Sequence, residues 1–269
     1  MIKLSSLVRF AKYEKKYGMH KLALMNKPIL SEVLDVGYCI IPNFWTAEQC
    51  QEARDLIDLL LDSNLRKQIT VWSDELGADQ RIMGSHNLSP KLDIFNDPKI
   101  NDIATTLYGV EQLQGFTMAA RLQAVENNLG SGQGWHRDSC VEHQYKTILY
   151  LSDVDSNSGP FQYCRKSGNA LDIVRFEGRT QVKVDENRLD SYEQQILKEP
   201  IDELCAPAGS LVIANTRGIH RGKPIESGQR YALTNYFWKK AIPQHVVSYV
   251  NKSVPLDSQL GGMDEQAVH

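Results

Sequence analysis

A mainly β chain, folded as a double-sheet jelly roll with helices packed on one outer face, is what the sequence predicts. Many short strand-like runs separated by turn residues point to the jelly roll, and the clearest helix signals fall early in the chain. The chain of 269 residues shows no internal repeat and no linker, and a double-sheet β fold of this length is usually one domain. The expected organisation is an N-terminal helical extension over 1–30, a single domain over 31–243 and a C-terminal tail over 244–269.

Residues 1–30 interleave lysines such as Lys12, Lys15 and Lys16 with Leu4, Leu7, Val8, Ala11, Leu22 and Leu24. This is the pattern of one or two short amphipathic helices with a solvated basic face. Gly37 to Pro42 reads as a short strand closed by proline. Thr46 and Gln49 form a capping-box pattern that opens a helix through Leu61, with Cys50, Ala53, Leu56, Ile57 and Leu60 on one face. From Asp62 to Pro90 the periodicity is lost and the stretch reads as loop. Long loops in compact domains often carry recognition, so Arg81, His86 and Trp72 are candidate substrate contacts. Asp97-Pro98 starts the next helix, which ends before Gly109. Phe116 to Val125 is a strand, and Gly130, Gly132 and Gly134 form a turn that delivers Trp135 and His136. Tyr145 to Leu151 is a strand closed by the polar cluster Ser152 to Gly159, and Phe161 to Cys164 follows. Residues 171–203 are charged and read as an insertion with one helix around Asp190 to Lys198. Gly209 to Asn215 and Arg230 to Trp238 are the last strands, and after Pro243 the tail grows polar.

The net charge of −3 supplies no basic field for nucleic acid or an anionic membrane, which leaves a small molecule as the expected partner. The first ten residues lack the apolar core of a signal peptide, and no run approaches the roughly 20 apolar residues of a membrane span. The cytosol is the expected compartment. Five cysteines, odd in number and without a Cys-x-x-Cys pair, indicate neither a disulfide framework nor a zinc site.

The chemistry gathers at Trp135-His136-Arg137-Asp138. Side chains at i and i+2 of an extended segment share one side of the backbone, so His136 and Asp138 can reach a single ion. His220, placed after the buried strand that begins at Gly209-Ser210-Leu211-Val212, would complete a two-histidine, one-carboxylate triad with open positions, the arrangement of non-haem Fe(II) sites. Each residue alone reads more readily as a hydrogen-bonded group at a strand end; the ordered set carries the metal reading. Arg230 lies on the strand that returns beside His220. A buried arginine is costly unless paired, and its planar fork suits a carboxylate, either a bound one or that of Glu226 in a structural ion pair.

The ordered set Asp35-Val36-Gly37-Tyr38, Pro42-Asn43-Phe44, Trp135-His136-Arg137-Asp138, Ser158-Gly159-Pro160-Phe161, Gly209-Ser210-Leu211-Val212, His220 and Arg230 resembles the phytanoyl-CoA dioxygenase-like branch of the Fe(II)/2-oxoglutarate oxygenases, from about residue 30 to about 238. The resemblance implies Fe(II) held by His136, Asp138 and His220, with 2-oxoglutarate and O2 as co-substrates. Arg230 would grip the distal carboxylate of 2-oxoglutarate, with Thr147 and Gln123 as further co-substrate contacts. The implied reaction hydroxylates an aliphatic carbon of a small or carrier-bound metabolite and releases succinate and CO2. In related halogenases a small residue replaces the carboxylate, so Asp138 points to hydroxylation. The chain departs from the family at Arg165 to Asn169, where a Pro-Gly-Ser-His signature is usual, which argues against phytanoyl-CoA itself as substrate. Two other readings are a jelly-roll binding or regulatory protein without turnover and a cupin-like metalloenzyme that does not use 2-oxoglutarate.

Overall fold

The computed structural model describes residues 28–139, 144–169, 173–174 and 187–252, together with Val8 and Ala11. Most of the expected N-terminal extension, and the tail beyond residue 252, lie outside the described residues.

The early helices form where the sequence signals them. Helix α1 spans Pro28–Asp35. Helix α2 spans Ala47–Asp62 and has a complete capping box, with the Thr46 hydroxyl accepting from Gln49 N–H and the Gln49 side chain accepting from Thr46 N–H. Helix α3 spans Pro98–Tyr108, is capped by the Asp97 carboxylate, and stops at Gly109, which takes the left-handed conformation at φ 61°. That C-terminal geometry favours a residue without a Cβ.

Strands β1 (Tyr38–Ile41), β2 (Val71–Ser73), β3 (Asp79–Met83), β4 (Gln114–Gln123), β5 (Tyr145–Tyr150), β8 (Leu211–Asn215) and β10 (Gln229–Trp238) build a seven-stranded sheet in the order β1-β8-β5-β10-β4-β3-β2. Strands β6 (Phe161–Cys164), β7 (Ile201–Leu204) and β9 (His220–Gly222) form a second sheet, β7-β6-β9. All the pairings are antiparallel. The two faces of the large sheet do different work. One face packs Leu149, Leu211, Ile213 and Leu233 against Leu30, Ala53, Ile57, Leu60, Ile100 and Ala104 of the three helices. The other turns Ile148, Tyr150, Val212 and Ala232 toward Phe161, Tyr163 and Leu204 of the small sheet. Alternation along each strand enforces this division, because neighbouring side chains leave opposite faces.

The structure corrects three boundaries. The stretch 62–90 is not a loop throughout: it carries β2, β3 and two 3-10 turns, with a third starting at Pro90, and β3 pairs with β4 from Asp79 to Met83. The segment 171–203 is not wholly an insertion, since its end is β7, although the expected helix is present as a 3-10 turn at Asp190–Tyr192 and α4 at Glu193–Ile196. Part of this segment, 175–186, lies outside the described residues. The tail expected from residue 244 is packed at its start. Helix α5 (Gln244–Val247) follows β10, and Val246 and Val250 pack on the cluster of Phe116 and Met118. The Asn251 amide binds Thr70 O at 3.0 Å and Met83 O at 2.7 Å.

Candidate metal centre

The residues around His136 and His220 are joined by backbone before any ligand is considered. His136 N–H donates to His220 O, and His220 N–H donates to His136 O, both at 3.0 Å; Asp138 N–H donates to Thr216 O at 3.0 Å. The opposite edge of 135–137 bonds to Asn187 O through Arg137 N–H and receives Leu189 N–H at Trp135 O, both at 2.8 Å. Two segments more than eighty residues apart thus run antiparallel and bring three ligand-type side chains together. Their ligating atoms lie within 4.8 Å of one another.

Each imidazole is oriented by a carbonyl two residues upstream. His136 Nδ1 lies 2.9 Å from Gly134 O, and His220 Nδ1 lies 2.8 Å from Gly218 O. A carbonyl only accepts, so Nδ1 carries the proton and Nε2 keeps its lone pair toward the shared space. Each Nε2 is 3.9 Å from an oxygen of Asp138. His220 Nε2 is buried without a hydrogen-bond partner, as expected of an atom that waits for a cation. Phe161 stacks on the His220 ring at 5.2 Å between centroids. Burial pushes both imidazoles below their ordinary pKa, and for His220 the neighbouring His136 adds to the fall. Burial would raise Asp138, but the Lys146 ammonium and the two imidazoles outweigh it and hold the carboxyl well below its usual range. The set is therefore two neutral nitrogens and one carboxylate, the donor set of a divalent metal centre with open positions.

The triad opens into a cavity of about 240 Å³ between the sheets. Arg230, Ala232, Thr234 and Tyr236 of β10, Met118 and Ala120 of β4, and Lys146, Ile148 and Tyr150 of β5 line it. Arg230 is 5% exposed, and it donates to Gly159 O while its Nε has no partner. Glu226, the acid considered for it, instead pairs with Lys223 at 3.3 Å. Burial lowers the Arg230 pKa, and Tyr150 and Asp79 oppose this only in part. A buried guanidinium inside a cavity, with no acid paired to it among the described residues, suits an incoming carboxylate.

The other candidates divide. Arg81 lines the cavity, held on its back by Asp79 (Nη2–Oδ2 2.5 Å) and by Ser131. Trp72 is 37% exposed and lies against the Arg81 guanidinium at 4.7 Å, outside the lining. His86 is on the helix side, where Nδ1 accepts from Thr117 N–H at 3.4 Å and the ring packs on Phe95. Thr147 and Gln123 also leave the opposite face from the cavity. Thr147 alternates with Lys146 and Ile148, which point inward, and Gln123 sits beside the Arg121 guanidinium, which reaches Asp58 and Asp62 of α2. Neither contacts the site, because each is one residue out of phase with the inward face. The sequence reading missed Lys146, Tyr236 and Phe161. Lys146 had a signal, a lone charge inside an apolar strand.

Fold and site together define a double-stranded β-helix protein with the donor set of a mononuclear metal centre. The chain belongs to the phytanoyl-CoA dioxygenase (PhyH) family of Fe(II)/2-oxoglutarate-dependent oxygenases, whose pattern matches residues 34–232. No curated protein sequence gives a significant match. Among solved structures, the chain resembles the α-ketoglutarate-dependent carbocyclase SnoK of nogalamycin biosynthesis (TM-score 0.62, 16% identity, 85% of this chain and 92% of that one). It also resembles the epimerase SnoN of the same biosynthesis (TM-score 0.58, 15% identity, 79% and 81%). HygX from Streptomyces hygroscopicus, crystallised with nickel, 2-oxoglutarate and hygromycin B, matches at TM-score 0.55 and 12% identity over 78% and 86%. At these identities the likeness is one of fold.

Proposed function

We propose that the protein is a hydroxylase that inserts one oxygen atom of O2 into an aliphatic C–H bond of a small or carrier-bound metabolite, converting 2-oxoglutarate to succinate and CO2. The observation that carries this reading is Arg230, a buried guanidinium with no acid paired to it among the described residues, facing the same cavity as two neutral imidazoles and a carboxylate. His136, His220 and Asp138 would hold Fe(II), and Arg230 would receive the distal carboxylate of 2-oxoglutarate. When bound, iron and 2-oxoglutarate supply the oxidative decarboxylation and an oxidant able to take hydrogen from carbon. Ile148, Met118 and Phe161 give the site apolar walls that limit water around it. With Asp138 in the carboxylate position, the protein supplies a full ligand triad, which supports transfer of oxygen rather than halide. The free state of the four described cysteines and the lack, among the described residues, of a helix long and apolar enough to cross a membrane support a cytosolic setting.

The test uses purified protein with Fe(II), 2-oxoglutarate and 18O2, scored across metabolite pools for stimulated succinate release. The expected product gains one 18O atom. A product that is epimerised or cyclised without mass gain would remove hydroxylation while leaving the oxygenase class intact. No 2-oxoglutarate turnover under any condition would favour a jelly-roll binding protein.

A further inference from the structure

Lys146 is a charged cavity residue that the proposed reaction leaves without a role. Its ammonium lies 2.6 Å from Asp138 Oδ2 and 4.7 Å from the centroid of Tyr236, and its side chain is 9% exposed. Among the described residues Asp138 is its sole acidic partner. The following step rests on the function proposed above.

The charges of the cavity can be followed through loading. Arg81 and Asp79 neutralise each other through a two-pronged contact, Nε to Oδ1 at 3.0 Å and Nη2 to Oδ2. In the metal-free protein Lys146 neutralises Asp138. Once a divalent metal takes Asp138 and 2-oxoglutarate brings two negative charges, one of them matched by Arg230, those four contributors cancel. Lys146 is then left with a full positive charge, enclosed and without a counterion, a costly state unless an anion arrives. Arg230 does not compete for that anion. In the function proposed above it is already matched by the distal carboxylate of 2-oxoglutarate.

We propose that Lys146 binds an anionic head group of the primary substrate, a carboxylate, directly beside the metal, so that the enzyme oxidises an organic acid at a carbon close to that carboxylate. A cavity of about 240 Å³ is smaller than the usual 300–1,000 Å³ of sites that enclose a whole drug-sized ligand. It accommodates the co-substrate and a head group, and the remainder of the substrate extends beyond it.

Calorimetric titration of the full chain, loaded with Mn(II) and 2-oxoglutarate under nitrogen, reads this without turnover. The probes are straight-chain monocarboxylates from acetate to decanoate and benzoate, each paired with its primary amide. At least one acid should bind about tenfold to a hundredfold more tightly than its amide, the range of a charge-assisted hydrogen bond. Lys146→Met should abolish that preference while keeping 2-oxoglutarate affinity within about twofold of wild type, and Lys146→Arg should restore part of the preference and report on folding. Acids and amides that bind alike, or no binding by any acid, would overturn the proposal. So would a Lys146→Met protein that loses 2-oxoglutarate instead, since the lysine would then serve the co-substrate. A wild type that binds no 2-oxoglutarate overturns both this and the proposed function, whereas one that binds it and ignores the anion overturns only this.

Discussion

His136 and His220 each give the Nδ1 proton to a backbone carbonyl, so their orientation is set by main chain and does not depend on the metal. Replacing Asp138 with Ala leaves two neutral nitrogens and no charge to balance a divalent ion. Mn(II) binding, followed by calorimetry, should fall by more than about 100-fold and succinate release should cease, given that even outer partners of metal ligands are worth 10–100-fold. Unchanged succinate release in that variant would contradict the assignment. Arg230→Ala should leave metal binding near wild type and raise the apparent 2-oxoglutarate requirement by about 10–100-fold, the worth of a charged hydrogen bond. Gly132 has φ 85°, and a Cβ there would collide with the His136 ring. Gly132→Ala should therefore weaken Mn(II) binding by roughly tenfold or more through ligand displacement, a loss that calorimetry would detect.

At the level of the element, strand phase decides which side chains reach the cavity. On β10, Ala232 lies opposite both Tyr150 of β5 and Ala120 of β4, and Thr234 lies opposite Ile148 and Met118. Residues directly opposite in an antiparallel ladder share a face, so Arg230 pointing inward forces Lys146, Ile148 and Tyr150 inward and Thr147 outward. Thr147→Val should accordingly leave the 2-oxoglutarate requirement unchanged, and a rise in that requirement would refute the phase described here. The helices follow local rules more directly. Thr46→Ala removes a cap worth about 1 kcal/mol, and thermal unfolding should move down by roughly 2–4 °C without effect on 2-oxoglutarate binding.

For the whole molecule, metal binding and stability are one equilibrium. Mn(II) at about 100 times its dissociation constant should stabilise the fold by about 2.7 kcal/mol, visible as a higher Tm that His220→Ala abolishes. Acid should act in the opposite sense. Burial lowers the pKa of His86, and Asp93 opposes this only in part. The unfolded chain then binds a proton on this residue that the folded chain refuses, so its contribution is neutral above about pH 6.5 and destabilising as the pH falls from there toward the lowered folded value. Denaturant unfolding of His86→Phe across that interval should show a shallower loss of stability than wild type.

The sequence by itself determined the parts that obey local rules. The capping box at Thr46 and Gln49, the Asp97 cap, the His-x-Asp spacing and the apolar runs of β5, β8 and β10 each follow from neighbours a few residues away, as do the metal ligands once His220 is set beside a buried strand. Only the tertiary structure decided what depends on pairing across the sheet. It turned Thr147, Gln123 and His86 away from the cavity, made strands of Val71–Ser73 and Asp79–Met83 within an expected loop, and placed the Lys146 ammonium against Asp138. The physical reason is that a strand has two nearly equivalent faces. Spacing of two fixes which residues travel together, but only the register with the neighbouring strand fixes which face becomes the inside.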